Sequence, residues 1–279
     1  MMNTSHPDTV LERLCPLALL ERDSERLIAR GERVQVIFDL DDTLFLVRSR
    51  KRKIFQEMAV EQAALPEVAA SLSRLASASI PFDVGQALDS VGIARMHHGR
   101  LISEFFNRFF DGAYLVHDTL NLGAADFVAR LGDLGVGIVY LSGRPANMLP
   151  QTAQILADAG FPVHAARTKF LLKGQAEAHL GDVEFKARKA EELVEAGRCV
   201  GVFDNEPANL NAVHQVFPGA HYYLLETDCA PAPPPLAMTA HRLVDFTRGR
   251  ARLSAAVGPS ISRPDHRWEI TVQDGPAVS

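Results

Sequence analysis

Short apolar runs that stop abruptly in polar clusters recur along this chain. Between them, apolar residues fall three and four positions apart. The clearest run is Val34-Gln35-Val36-Ile37-Phe38, which ends in Asp39-Leu40-Asp41-Asp42-Thr43. Val34, Val36 and Phe38 would face one side of a strand and Ile37 the other, which suits a strand covered on both faces. Similar runs span 136–141, ending in Ser142-Gly143-Arg144-Pro145, and 199–203, ending in Asp204-Asn205-Glu206-Pro207. Residues 163–172 and 221–225 predict two further strands. Helical spacing covers 124–134, with Phe127, Val128 and Leu131 as an inner stripe, then 148–159, 186–196 and 209–217. Glycines follow several of these helices, at Gly135, Gly160 and Gly197. Strands alternating with helices predict parallel βαβ units, hence an α/β protein with a Rossmann-like, doubly wound parallel sheet.

One stretch breaks the alternation. From about Arg48 to Phe110 no convincing strand pattern is present. Helices are predicted at 57–64, 68–78, 84–91 and 100–110, the last apolar at Leu101, Phe105, Phe106 and Phe109. This reads as a helical cap inserted after the first strand. A helix over 8–30, with Leu11, Leu14, Leu17 and Leu20 on its apolar side and Gly31 at its end, precedes that strand. The proline run that follows Ala230 ends the regular pattern, and 236–258 predicts one more helix. The expected organisation is therefore an N-terminal helical extension (1–32), an α/β core (33–48 and 117–245), a cap insert (49–116) and a C-terminal extension (246–279).

Composition narrows the class. The chain has 279 residues, 47% hydrophobic and 23% charged, values typical of a soluble globular protein. Its net charge of −5 argues against a general nucleic-acid binder. Cys15, Cys199 and Cys229 are widely spaced and form no CxxC pair, so neither a disulfide framework nor a zinc site is expected. No stretch has the length of a membrane span, and the apolar patch 16–20 is too short for a signal peptide. The expectation is a soluble cytoplasmic protein with no membrane partner. Composition does not address its oligomeric state.

In a parallel sheet all strand carboxyl ends share one edge. Asp39, Asp41 and Thr43, then Ser142-Gly143-Arg144, then Asp204-Asn205-Glu206 would converge there, with a lysine from the region between the last two clusters. Carboxylates can act as covalent nucleophiles in phosphoryl transfer, and Asp39 is the candidate. Asp41 lies two residues on, on the same side if the backbone stays extended. It could protonate the leaving oxygen and later deprotonate water, a role that needs a pKa above the free aspartate value, as burial near other acids would supply. A phosphate dianion will not approach bare carboxylates, so Mg²⁺ is expected, with Asp39 and Asp204 as its side-chain ligands. Ser142 would hydrogen-bond a phosphate oxygen, helped by the backbone N–H groups that follow. Lys186 would neutralise the nucleophile and the transferring group. It is preferred because it opens the predicted 186–196 helix, with Lys173 as the alternative.

The order Asp-Leu-Asp-Asp-Thr, Leu-Ser-Gly-Arg, lysine, Phe-Asp-Asn-Glu resembles the haloacid dehalogenase-like (HAD) hydrolase superfamily, over about residues 34–226. The insert is similar to that family's small helical cap. The resemblance implies a phosphatase-type enzyme that hydrolyses a phosphate monoester through an aspartyl-phosphate. It implies Asp39, Asp41 and Lys186 as catalytic groups, and Thr43, Ser142, Gly143 and Arg144 at the phosphate. It further implies Asp39, Asp204 and the main-chain carbonyl of Asp41 at the metal, and a small phosphorylated substrate. Two features depart from the family pattern: the fourth motif, and the lysine, for which Lys169, Lys173, Lys186 and Lys189 all lie between the second and fourth motifs. The positions where many relatives carry a second acid are Asn205, Ala208 and Asn209 here, leaving Asn205, Glu206 or Asn209 to support the metal. Alternative readings are a non-catalytic or weakly catalytic binding module on the same fold, and a phosphoryl mutase. The basic run Arg48, Arg50, Lys51, Arg52 and Lys53 reads as a solvated helix start, or as a funnel for an anionic substrate.

Overall fold

A computed structural model describes residues 15–163, 166–247, 251–254 and 270–271. The elements run α1 (Pro16–Ile28), β1 (Val34–Phe38), β2 (Phe45–Leu46), α2 (Arg48–Glu61), α3 (Pro66–Ser77), α4 (Val84–Ser90), α5 (His98–Phe109) and β3 (Thr119–Leu120). They continue α6 (Ala124–Asp133), β4 (Gly137–Pro145), α7 (Leu149–Asp158), β5 (Thr168–Lys173), α8 (Asp182–Glu192), β6 (Arg198–Asp204), α9 (Pro207–Val216) and β7 (His221–Leu225). Strands β8 (Ala240–Leu243), β9 (Ala251–Ser254) and β10 (Ile270–Thr271) complete the order.

The main sheet has the order β5-β4-β1-β6-β7-β8-β9. The first six of these strands are parallel, and β9 runs antiparallel along β8. The chain steps outward from β1 through β4 to β5, returns to the far side of β1 at β6, and steps outward again. Strand order therefore reverses at β1, where a doubly wound sheet opens a crevice beyond its carboxyl ends.

All five residues of β1 are buried, so the strand needs apolar cover on both sides. On one face Val34, Val36 and Phe38 pack with Leu17, Leu20, Phe127 and Leu156 from α1, α6 and α7. On the other, Ile37, Val139 and Leu141 meet Phe185 from α8 and Leu210 and Val213 from α9. Each such fully buried side chain contributes roughly 1.5–3 kcal/mol relative to exposure. Gln35 is the polar exception in β1, and its amide donates to the carbonyls of Leu193 (2.9 Å) and Gly197 (2.7 Å). At Gly201 a Cβ would lie 2.9 Å from Leu20, so the missing side chain lets α1 pack directly on β6.

The insert holds helices α2 to α5, the first of which starts at Arg48 rather than at the predicted 57. Ile54, Phe55, Met58, Leu72, Leu75, Leu88, Leu101 and Phe105 give it a core of its own. Its two connections to the main domain are joined by the antiparallel pair β2–β3, with Phe45 opposite Leu120 and Leu46 opposite Thr119. Strand β10 pairs with β3 on the other side.

Three further expectations change. Segment 236–258 supplies strands rather than a helix, because β7 has an open edge that Ala240–Leu243 pairs in parallel. Helix α8 starts at Asp182, so Lys186 lies in its second turn and does not open it. The basic run is not a solvated helix start. Arg50 is 0% exposed and Lys51 5%, the first through ion pairs and a stack on Phe109 at 4.2 Å. The N-terminal helix spans Pro16–Ile28, and the expected portion at 8–14, with Leu11 and Leu14, lies outside the described residues. Among the described residues no helix is long and apolar enough to cross a membrane.

Candidate active site

Strand β1 ends at Phe38, and Asp39 follows with its N–H bonded to the Phe203 carbonyl of β6 (2.9 Å). The chain then turns sharply. Asp42 takes a positive φ of 57°, and the N–H groups of Leu44 and Phe45 return to the Leu40 carbonyl at 2.9 and 3.0 Å. An aspartate tolerates that left-handed conformation better than a branched residue would. This turn carries Asp39 and Asp41 onto the carboxyl edge, where β4 delivers Ser142 and Arg144 and β6 delivers Asp204.

Lys186 joins the two outer acids. Its ammonium lies 2.7 Å from Asp39 Oδ1 and 2.6 Å from Asp204 Oδ2, and the side chain is 3% exposed. Burial works against the charged lysine, but Asp204 and Asp39 outweigh it and hold its pKa above the ordinary lysine value. Burial pushes the Asp39 carboxyl up to about 7, with Lys186 pulling it down and Asp204 pushing it up. The other oxygen of Asp204, Oδ1, accepts from the Glu206 N–H (2.8 Å) and the Asn209 amide (3.2 Å). Asn209 thus orients Asp204. Lys173 points elsewhere, donating to the Leu180 carbonyl (2.9 Å) and pairing with Asp182. The geometry therefore favours Lys186 over Lys173.

Asp41 is in a different electrostatic setting from the one the sequence suggests. Its Oδ1 accepts from Arg144 Nε (3.1 Å), Arg144 Nη2 (2.5 Å) and Arg50 Nη2 (2.7 Å). Burial alone would raise its pKa, but Arg144 and Arg50 outweigh that and hold the carboxyl well below the usual range. The expectation that neighbouring acids raise it is corrected, because two guanidiniums are nearer than any acid. Both arginines also meet Asp118, through Arg50 Nε at 2.8 Å and Arg144 Nη2 at 3.3 Å. Asp118 is 0% exposed, and burial pushes its carboxyl up to about 7 against the pull of both.

Several other predicted groups are already engaged. Arg144 is buried on Asp41, Asp118 and the Thr152 hydroxyl (3.2 Å), so it does not face a phosphate as expected. Thr43 is buried and donates to Asn205 Oδ1 at 3.4 Å, which makes it a turn residue. Asn205 in turn donates to the Asp228 carbonyl at 2.5 Å. Glu206 accepts from the Ala230 N–H at 2.7 Å, and burial pushes its carboxyl up to about 7. Asn205 and Glu206 therefore tie the β6 loop to the loop after β7, beside the crevice. Ser142 is buried with its hydroxyl accepting from the Arg144 N–H at 3.3 Å. At Gly143 a Cβ would lie 2.6 Å from the Asp182 carboxylate, the exposed end of a side chain that a larger residue there would push aside. No signal in the sequence singles out Asp118, whose charge acquires meaning only against Arg50 and Arg144.

Among the described residues no group of three His, Cys, Asp or Glu side chains is disposed to hold a metal. Two carboxylates, Asp39 and Asp204, do stand close enough to share one ammonium. A pair of hard oxygen donors fits Mg²⁺, which commonly takes one or two carboxylates and fills its remaining positions with water and phosphate.

The sheet order, the insert after β1 and the acids at the switch point define a Rossmann-like α/β fold with a helical insert after its first strand. Several solved structures are similar to the chain. A Clostridium difficile protein provisionally named a phosphatase is 11% identical, with a TM-score of 0.51, covering 72% of this chain and 88% of that one. The haloacid dehalogenase-like hydrolase SP0104 from Streptococcus pneumoniae is 10% identical, with a TM-score of 0.44, covering 70% and 85%. A class C acid phosphatase from Bacillus anthracis is 15% identical, with a TM-score of 0.39, covering 75% of this chain and 66% of that chain. No family model and no curated protein matches the sequence. At these identities the likeness is one of fold.

Proposed function

We infer that the protein is a Mg²⁺-dependent phosphatase that hydrolyses a small phosphate monoester through an aspartyl-phosphate. The observation that carries this reading is the lysine bridge: Lys186 lies 2.7 Å from Asp39 and 2.6 Å from Asp204 at the switch point of the sheet. A buried cation fixed on a buried carboxylate makes that carboxylate approachable by an anionic phosphoryl group. Asp39 would attack phosphorus, forming the O–P bond of the acyl phosphate as the bond to the leaving alkoxide breaks. That alkoxide would take its proton from solvent water, and the proton Asp41 gains in the second half would be released to solvent to close the cycle. Lys186 stabilises charge on the transferring oxygens, and the Ser142 hydroxyl and the backbone beside Gly143 receive one of them. In the second half Asp41, kept ionised by Arg50 and Arg144, accepts the proton of the water that attacks the acyl phosphate. That charge state suits a base better than an acid. Asp39 and Asp204, with the Asp41 carbonyl, would hold Mg²⁺, which when bound supplies charge neutralisation between carboxylate and phosphate oxygens.

The test is phosphate release from p-nitrophenyl phosphate and from a panel of phosphorylated metabolites, with Mg²⁺ and with EDTA. Turnover that needs Mg²⁺ and disappears in Asp39→Asn is the expected result. An Asp39→Asn variant of undiminished activity would sink the reading.

A further inference from the structure

The four charges Asp41, Arg50, Asp118 and Arg144 come from four different places in the fold. Asp41 lies in the turn after β1, and Arg144 in β4 of the core. Arg50 is in the first turn of α2, where the chain enters the insert, and Asp118 immediately precedes β3, where it leaves. The Arg50–Asp118 contact of 2.8 Å therefore joins the two connections of the insert side by side. Asp118 touches both guanidiniums from one side, and both also converge on a single oxygen of Asp41. All three of these hydrogen bonds land on Oδ1. The Asp41 side chain keeps 24% of its surface exposed, whereas Arg50, Arg144 and Asp118 have 0% exposed. The arginines cannot meet a substrate, and their effect reaches the crevice only through Asp41.

We propose that Asp118 is a positioning residue for catalysis: it sets the two guanidiniums that grip Asp41 by Oδ1, leaving Oδ2 to meet water, and so links the reacting carboxylate to the seating of the insert. A lone guanidinium can swing about its long stem. A carboxylate between two of them fixes both at once, as outer partners fix groups that do chemistry. The arrangement also explains why Asp118, which contacts no part of the Asp39–Lys186–Asp204 group, is completely buried. The proposal rests on the phosphatase reading.

The experiment is a double-mutant cycle with p-nitrophenyl phosphate, whose leaving group departs without a proton, so residual rates stay measurable. Asp41→Asn is expected to lower kcat by roughly 10²–10⁴-fold, as loss of a positioned acid–base group does. Asp118→Asn is expected to lower kcat by about tenfold or more with KM little changed, and to add almost nothing in the Asp41→Asn background, as residues acting through one group do. A purely structural role would cost the same factor in both backgrounds, and that result overturns the proposal. Arg50→Lys covers the case in which Asp118→Asn does not fold. It keeps the charge beside Asp118 but cannot span Asp118 and Asp41 together, so the same loss of kcat and the same non-additivity are expected. Wild-type kinetics in Arg50→Lys would also overturn the proposal. If the wild-type enzyme itself releases no phosphate, both the reading and this inference fall, whereas wild-type turnover with an unaffected Asp118→Asn removes the inference alone.

Discussion

Replacing Lys186 by methionine removes one buried charge and keeps most of the side-chain volume. In the wild-type protein a single ammonium sits between two carboxylates, 2.7 Å from Asp39 and 2.6 Å from Asp204. In Lys186→Met the two acids face each other with no cation between them. Breaking a buried ion pair by removing one partner costs about 3–5 kcal/mol, because the remaining charge is neither solvated nor paired. With two carboxylates abandoned, the upper part of that range is expected. For a protein of this size each kcal/mol moves the melting point by about 2–4 °C, so a cost of about 4–5 kcal/mol should lower the melting temperature by roughly 8–20 °C. The loss should also depend on pH in a definite direction. Burial already pushes Asp39 up to about 7 with Lys186 present, and without that pull it goes higher. A carboxyl with a raised folded pKa gives stability that is complete below its unfolded value of about 4 and is lost as pH rises through the folded value. The variant should therefore be most impaired near pH 8 and recover toward wild type near pH 5, where the two acids can share protons. Thermal melts of both proteins at pH 5 and pH 8, in EDTA, measure this directly. Equal melting at pH 8, or a deficit of the same size at both pH values, would refute the electrostatic account of the bridge.

Two further outcomes follow from contacts elsewhere. Lys173→Ala should leave phosphate release close to wild type, since Lys173 contacts Asp182 and the Leu180 carbonyl and not the acids. Asp182 is a largely exposed partner, so the change in stability should be about 1 kcal/mol or less. Loss of turnover in Lys173→Ala with retained turnover in Lys186→Met would reverse the lysine assignment. His241 stacks on Tyr223 at 5.2 Å and faces His221 at 6.3 Å, and burial, then His221, lowers its pKa. The unfolded chain then takes up its proton first, so this histidine's contribution to stability is lost as pH falls through about 6.5. His241→Phe should lose less stability than wild type between pH 7.5 and 5.5 in urea titrations, and an identical pH dependence would count against the assignment.

How far the sequence reaches depends on whether a feature is local. The apolar runs, the helical spacing of the insert and the polar clusters that end β1, β4 and β6 are all set by residues adjacent in the chain, so they are legible before folding. That is why Asp39, Asp204 and Ser142 could be assigned to one sheet edge from their order alone. The ends of elements are less legible. The start of α8 at Asp182, which puts Lys186 in its second turn, and the strand at Ala240–Leu243, which pairs the open edge of β7, are not encoded by periodicity. What the tertiary structure alone decided is the charge around each acid. Asp41 and Arg144 are 103 residues apart, and Lys186 and Asp39 are 147 apart. Whether a buried carboxylate meets an acid or a guanidinium is fixed by such distant partners, and the interaction grows steeply as water is excluded. The turn after β1 announces itself in the sequence as the place where chemistry collects. That Arg50 lies buried on Asp41 rather than solvated, that Arg144 holds Asp41 rather than a phosphate, and that Asp118 secures both is settled only when the two connections of the insert close against the core.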